Sequence, residues 1–123
     1  MTAADRKRIH EAVAEAERGT TARIGVRFVT DESVDAFERA KAEFEAIGMH
    51  RHETRNAALI LVAPKAKRFA VIGDEQLHAR VGDAFWTDTV AAMQPHFREG
   101  SIGDAVVLGL HRLGAEMKRH FPS

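Results

Sequence analysis

Residues 55–73 read Arg55-Asn56-Ala57-Ala58-Leu59-Ile60-Leu61-Val62-Ala63-Pro64-Lys65-Ala66-Lys67-Arg68-Phe69-Ala70-Val71-Ile72-Gly73, and the fold turns on how this stretch is read. Residues 57–63 are apolar without interruption, rich in branched side chains, and bounded by a polar start and a proline. That is the pattern of a strand buried on both faces, which places it at the centre of a sheet with Leu59, Leu61 and Val62 in the core. The connection at 64–67 is short and polar. It leads into a second apolar run, 68–72, closed by Gly73-Asp74-Glu75, so the second run is expected to fold back antiparallel as a hairpin.

Upstream, residues 24–29 (Ile24-Gly25-Val26-Arg27-Phe28-Val29) form another predicted strand, with Ile24, Val26 and Phe28 on one face. Asp31-Glu32-Ser33 opens a helix whose apolar positions Val34, Phe37, Ala40, Phe44 and Ile47 make a stripe fit to cover a sheet, and Gly48 ends it. A crossover of this length makes the two flanking strands parallel, and such units are right-handed almost without exception. Strand polarity then defines two rims. One collects Arg55, Asn56, Asp74 and Glu75, with His50 and His52 in the polar loop beside it; the other has Asp31, Glu32, Lys65, Lys67 and Arg68.

The flanks are helical. Thr2 is a plausible N-cap, with Asp5 in the opening turn and Ile9, Ala12, Val13 and Ala16 on one face up to Gly19. Beyond Glu75, Leu77 and Val81 predict a short turn of helix. Phe85, Val90, Met93 and Phe97 predict a longer one that Pro95 should distort or end near its last turn. A last helix begins at Gly100-Ser101 and repeats Ile102, Val106, Leu110, Leu113 and Met117. The expected architecture is an α/β fold, an αβα sandwich: a mixed sheet with a parallel strand-helix-strand unit and an antiparallel hairpin, helices on both faces.

A chain of 123 residues is the size of one domain, here 1–123, and buries about two-thirds of the surface its unfolded form exposes. With 45% apolar and 29% charged residues it resembles an ordinary globular protein, and no apolar run approaches the roughly 18 residues of a membrane span. The first residues are charged and lead into Ile9-His10-Glu11, not an apolar segment, so no signal peptide, no stable membrane insertion and a cytoplasmic location are expected. The absence of cysteine excludes disulfides, thiolate metal sites and cysteine nucleophiles. Eighteen basic residues balance eighteen acidic ones, which gives no electrostatic footprint for nucleic acid.

The ordered set Gly48-Met49, residues 55–63, Ile72-Gly73-Asp74, Met93-Gln94-Pro95-His96-Phe97-Arg98-Glu99-Gly100 and the helical Leu108-Gly109 resembles the TPM-domain family over roughly residues 22–115. The resemblance implies a single αβα sandwich, often exported or tethered to a membrane. Members of that family are described as acid phosphatases, as calcium binders, and as parts of membrane-complex repair or receptor modulation. Where better-known members carry a Gly-Tyr-Gly type turn after the third strand, this chain has Gly73-Asp74-Glu75.

Each candidate site has two readings. Asp74 and Glu75 beside Arg55 and Asn56 supply oxygens of the kind calcium or magnesium takes; alternatively, Asp74 caps the next helix and pairs with Arg55. His50 and His52 are zinc-type donors or solvated loop residues. His10, His78, His96, His111 and His120 share no spacing and read as surface or helix-end residues. Gly100-Ser101-Ile102-Gly103-Asp104 presents either an anion-binding helix start or a capping serine. Lys65, Lys67 and Arg68 form a basic hairpin tip. Two functional classes follow: a non-catalytic binding or accessory domain that meets a protein partner at one rim, with or without a divalent cation there, or a metal-assisted acid phosphatase acting on phosphate monoesters.

Overall fold

The structure is a computed structural model that describes residues 1–30 and 35–123; the Asp31-Glu32-Ser33 helix start, Val34 of the apolar stripe, and the Asp31 and Glu32 of one rim lie outside the described residues. The elements run α1 (Ala3–Glu17), β1 (Ile24–Phe28), α2 (Ala36–Ala46), a 3-10 turn (Met49–Arg51), β2 (Ala58–Ala63), β3 (Arg68–Gly73), α3 (Glu75–Val81), α4 (Asp83–Arg98) and α5 (Ile102–His120). They form two compact units, Ala22–Arg80 and Met1–Thr21 with Val81–Ser123. This is the α/β fold expected: among the described residues there are five α-helices and an open mixed sheet of three strands.

In the unit Ala22–Arg80 the strand order is β1-β2-β3. β1 pairs parallel to β2 from Ile24↔Ala58 to Phe28↔Val62, and β3 pairs antiparallel from Ala58↔Gly73 to Ala63↔Arg68. Every residue of β2 is buried. Side chains alternate along a strand, so burial at every position withdraws both faces from solvent. Leu59 and Leu61 join Ala36, Ala40 and Phe44 of α2, together with Val29, Ala57, Ala63 and Ala70, in one apolar cluster.

Two expectations fail in detail. Of the three apolar residues of β1, Ile24 is buried, Val26 half-buried and Phe28 40% exposed, because among the described residues β1 is an edge strand with a neighbour on one side only. In α2 the buried line is Ala36, Ala40 and Phe44, while Phe37 and Ile47 are exposed. Phe37, in the first turn of α2, is exposed although it lies only about 20° around the helix from the buried Phe44. Its ring is covered instead by the Lys41 ammonium at 5.0 Å. The helix is capped by Asp35, whose Oδ1 accepts from the N–H groups of Phe37 and Glu38 at 3.1 and 3.2 Å.

In the second unit α5 packs against both α1 and α4. Val106, Leu110, Leu113 and Met117 are its buried stripe, and α1 contributes Ile9, Ala12 and Ala16. Thr2 and Asp5 form a reciprocal capping box, each side chain accepting the other's N–H at 3.1 Å. Close approach of α1 and α5 depends on Gly114: a Cβ there would lie 2.9 Å from the Cα and from the Cβ of Ala16. Pro95 sits in the last turn of α4, and the helix ends at Arg98, where a missing N–H removes one bond near a terminus. The segment after α1 is tied to the one after α5 by a bridge between Thr20 and Pro122. Thr21 donates to the Phe121 carbonyl at 3.0 Å, Ser123 to Gly19 at 3.1 Å, and the buried Thr20 hydroxyl to Phe121 at 2.6 Å. No helix among the described residues is long and apolar enough to cross a membrane.

Candidate functional site

The β2–β3 register places the residues before Ala58 beside those after Gly73. Main-chain bonds extend that pairing: Asp74 N–H donates to the Ala57 carbonyl at 2.8 Å, and Gln76 N–H to the Arg55 carbonyl at 3.0 Å. Arg55 and Asp74 thereby meet side by side. Arg55 Nε donates to Asp74 Oδ2 at 2.6 Å and its Nη2 to Oδ1 at 2.7 Å, a bidentate pair. Oδ1 also accepts the Glu75 N–H at 2.8 Å, and the Asp74 carbonyl accepts from His78 in the first turn of α3. The pairing of Asp74 with Arg55 is present, and the helix N–H that its carboxylate accepts is that of Glu75.

Burial pushes the Asp74 carboxyl up, but the hydrogen bonds from Arg55 and Glu75 and the charges of Arg55 and His50 outweigh it and hold the group below its ordinary value. Asp74 raises the Arg55 guanidinium in turn. Three of the roughly four lone-pair positions of the Asp74 carboxylate are taken, so the pair does not fit a divalent cation unless the guanidinium leaves. Glu75 is exposed, with Oε1 3.8 Å from Arg55 Nη1. Asn56 is fully buried and its Oδ1 accepts from Thr54, so it shapes the rim from beneath. Among the described residues no group of three or more His, Asp or Glu side chains is placed to hold a metal ion.

The histidine loop differs from a solvated one. Met49–Arg51 is a 3-10 turn, and both His50 and His52 are half-buried. His52 Nε2 and the Thr54 hydroxyl share a hydrogen bond at 2.9 Å. His50 Nδ1 is buried and meets no hydrogen-bond partner among the described residues. Nothing in the composition of the loop signalled that burial. Arg55 itself adopts a left-handed backbone, φ 53°, which an arginine does not advertise in sequence.

The other candidates separate. Lys65, Lys67 and Arg68 are exposed at the hairpin tip, with Lys67 N–H closing the turn onto the Pro64 carbonyl. Ser101 precedes α5 but its hydroxyl makes no capping bond. The Asp5 carboxylate fills that role by position: it lies so close to the first turn of α5 that a Cβ on Gly103 would come 2.8 Å from Oδ1. Arg8 bridges Asp5 and Asp104 at the same place. An external anion there would meet two carboxylates. His10, His78 and His111 are exposed, His96 is half-buried, and His120 closes α5 against Glu116 at 3.1 Å.

Comparison with known proteins places this geometry. The chain matches the TPM domain over residues 1–116. It is similar to the BA42 protein of the psychrophilic bacterium Bizionia argentinensis, known from an NMR structure, at 32% identity over 99% of this chain and 84% of that one, with a TM-score of 0.89. The N-terminal domain of cg2496 from Corynebacterium glutamicum (16% identity, 95% and 74% coverage, TM-score 0.73) shares the fold. So does the N-terminal domain of a P. gingivalis protein (13%, 100% and 82%, TM-score 0.75). No curated protein matches the sequence. With the match running through nearly all of the two units described above, the chain belongs to the TPM-domain family.

Proposed function

We propose that residues 1–123 act as one TPM-type domain that binds rather than catalyses, offering the rim of Arg55, Asn56, Asp74 and Glu75 to an acidic group on a protein partner. The observation that carries this reading is how Arg55 is held. Its backbone sits in the left-handed region, its N–H donates to the His52 carbonyl at 2.9 Å, its carbonyl accepts from Gln76, and two of its nitrogens are locked on Asp74. Such conformations persist where the surroundings over-determine them, and they concentrate at binding sites. The Arg55 side chain remains 39% exposed, and its Nη1 is the nitrogen that Asp74 does not take. A partner carboxylate accepting from Nη1 meets a pre-oriented charge, and orienting it in advance lowers the entropic cost of binding. Calcium or magnesium at Asp74 and Glu75 is the competing occupant, and it must first displace Arg55.

The test is an amide-resolved NMR titration with a glutamate-rich peptide, then with calcium and magnesium. Peptide-induced shifts at residues 54–56 and 73–76 that vanish in Arg55→Gln support the proposal. Shifts confined to 65–68 overturn it in favour of the basic hairpin tip, and shifts at 73–76 produced by the cations alone overturn it in favour of a metal site. Turnover of a chromogenic phosphate monoester at mildly acidic pH, with or without those cations, that Asp74→Ala abolishes would establish the phosphatase reading instead.

A further inference from the structure

Four basic side chains, Arg39, Arg55, Arg112 and Lys118, are half-buried among the described residues. Arg39 pairs with Glu43, Arg55 with Asp74 and Lys118 with Glu15. Among the described residues Arg112 of α5 meets no carboxylate. Its Nε donates instead to the hydroxyl of Thr89 on α4 at 3.1 Å, and its guanidinium carbon lies 5.9 Å from the centre of the Phe85 ring. Thr89 is fully buried and therefore a fixed acceptor. Phe85 is in turn set edge-on against Trp86, ring centres 5.1 Å apart and planes at 81°. The groups that meet the guanidinium, a hydroxyl and a phenyl ring, are thus uncharged, and among the described residues no carboxylate neutralises it. Glu116, one turn further along α5, is turned to His120.

Partial removal of a cation from water is unfavourable, and a cation–π contact with a phenyl ring offsets only part of that cost. With Nε occupied, the edge that carries Nη1 and Nη2 remains, and its two parallel N–H groups match the two oxygens of a carboxylate or phosphate. We propose that Arg112, positioned by Thr89 and Phe85, is an oxyanion-binding site, separate from the Arg55 rim, that takes a carboxylate or phosphate end-on. Lysine cannot substitute: its ammonium is a point charge without the paired edge.

Inorganic phosphate and acetate, each titrated into the full chain at ionic strength held constant with chloride, test the site. The readouts are the Arg112 side-chain Nε–H resonance in the wild type and, in wild type and variants alike, the emission of Trp86, the only tryptophan. A saturable response to either anion, weakened at least tenfold in Arg112→Gln and in Arg112→Lys, is the expected result. Saturation by phosphate alone, or by acetate alone, identifies which oxyanion the site takes. Arg55→Gln leaves the response unchanged, so loss of the rim function and loss of this site are distinguishable. A response that chloride reproduces, one that does not saturate, or one that persists in Arg112→Lys overturns the proposal; the lysine variant keeps the charge where the glutamine variant fails to fold.

Discussion

Replacing Gly114 by alanine sets two effects of opposite sign against each other. In mid-helix, alanine is favoured over glycine by about 1 kcal/mol. At 114, however, the new Cβ would stand 2.9 Å from both the Cα and the Cβ of Ala16, whereas carbon atoms in contact rest about 3.5–4.0 Å apart. The obstacle includes backbone, which cannot rotate aside, so α1 and α5 must separate by roughly the shortfall along a line that is otherwise buried. Overpacking of this kind costs about 1–3 kcal/mol, and the upper part of that range applies, leaving a net loss of about 1–2 kcal/mol after the gain in helix propensity. Urea unfolding followed by circular dichroism reads this as a lower midpoint at unchanged slope. In Gly114→Ala with Ala16→Gly one of the two close atoms is gone, so the double variant should lose less stability than the sum of the two single variants. Stabilisation of the single variant by about 1 kcal/mol would show that propensity acts alone and that the helices are not in the close contact described.

Leu61→Ala should lower stability by about 2–5 kcal/mol in the same assay, because the side chain is fully buried in the β2–α2 cluster; a loss below about 0.5 kcal/mol would contradict a central β2. Asp74→Asn changes the acid limb of the stability profile. The carboxyl is held below its ordinary value, so its contribution is complete above the unfolded-state aspartate range and is lost as pH falls through the lower folded value. The stability difference between wild type and Asp74→Asn should therefore be largest at neutral pH and shrink in acid, and a pH-independent difference would refute the linkage.

What was legible follows from periodicity and from neighbours in sequence. The run at 57–63 and the Pro64–Lys67 turn announced β2 and the hairpin, and polarity alone brought Asp74 to Arg55. The Thr2–Asp5 capping box is a local signal and was equally readable. The exposure of Phe28 and Phe37 was not, since an apolar residue reports where it could be buried, and only the sheet's edges decide whether cover exists. Nor could pattern reveal the left-handed backbone at Arg55, the buried Nδ1 of His50, or the contact of Arg112 with Thr89. These depend on residues far apart in the chain, or on a conformation that arginine seldom adopts.

The unit that holds α1 and α5 is discontinuous: the chain leaves it at Thr21, completes Ala22–Arg80, and returns at Val81. During synthesis the sheet unit has all of its strands and α2 available while α5 is still unmade, and it can form from contacts close in sequence. α1, synthesised before the sheet unit, has to wait with its Ile9–Ala12–Ala16 face unmatched until α5 emerges. On the ribosome α1 is therefore stabilised after the sheet unit that follows it in the chain, and the Thr2–Asp5 capping box is what favours its helical form in the interval.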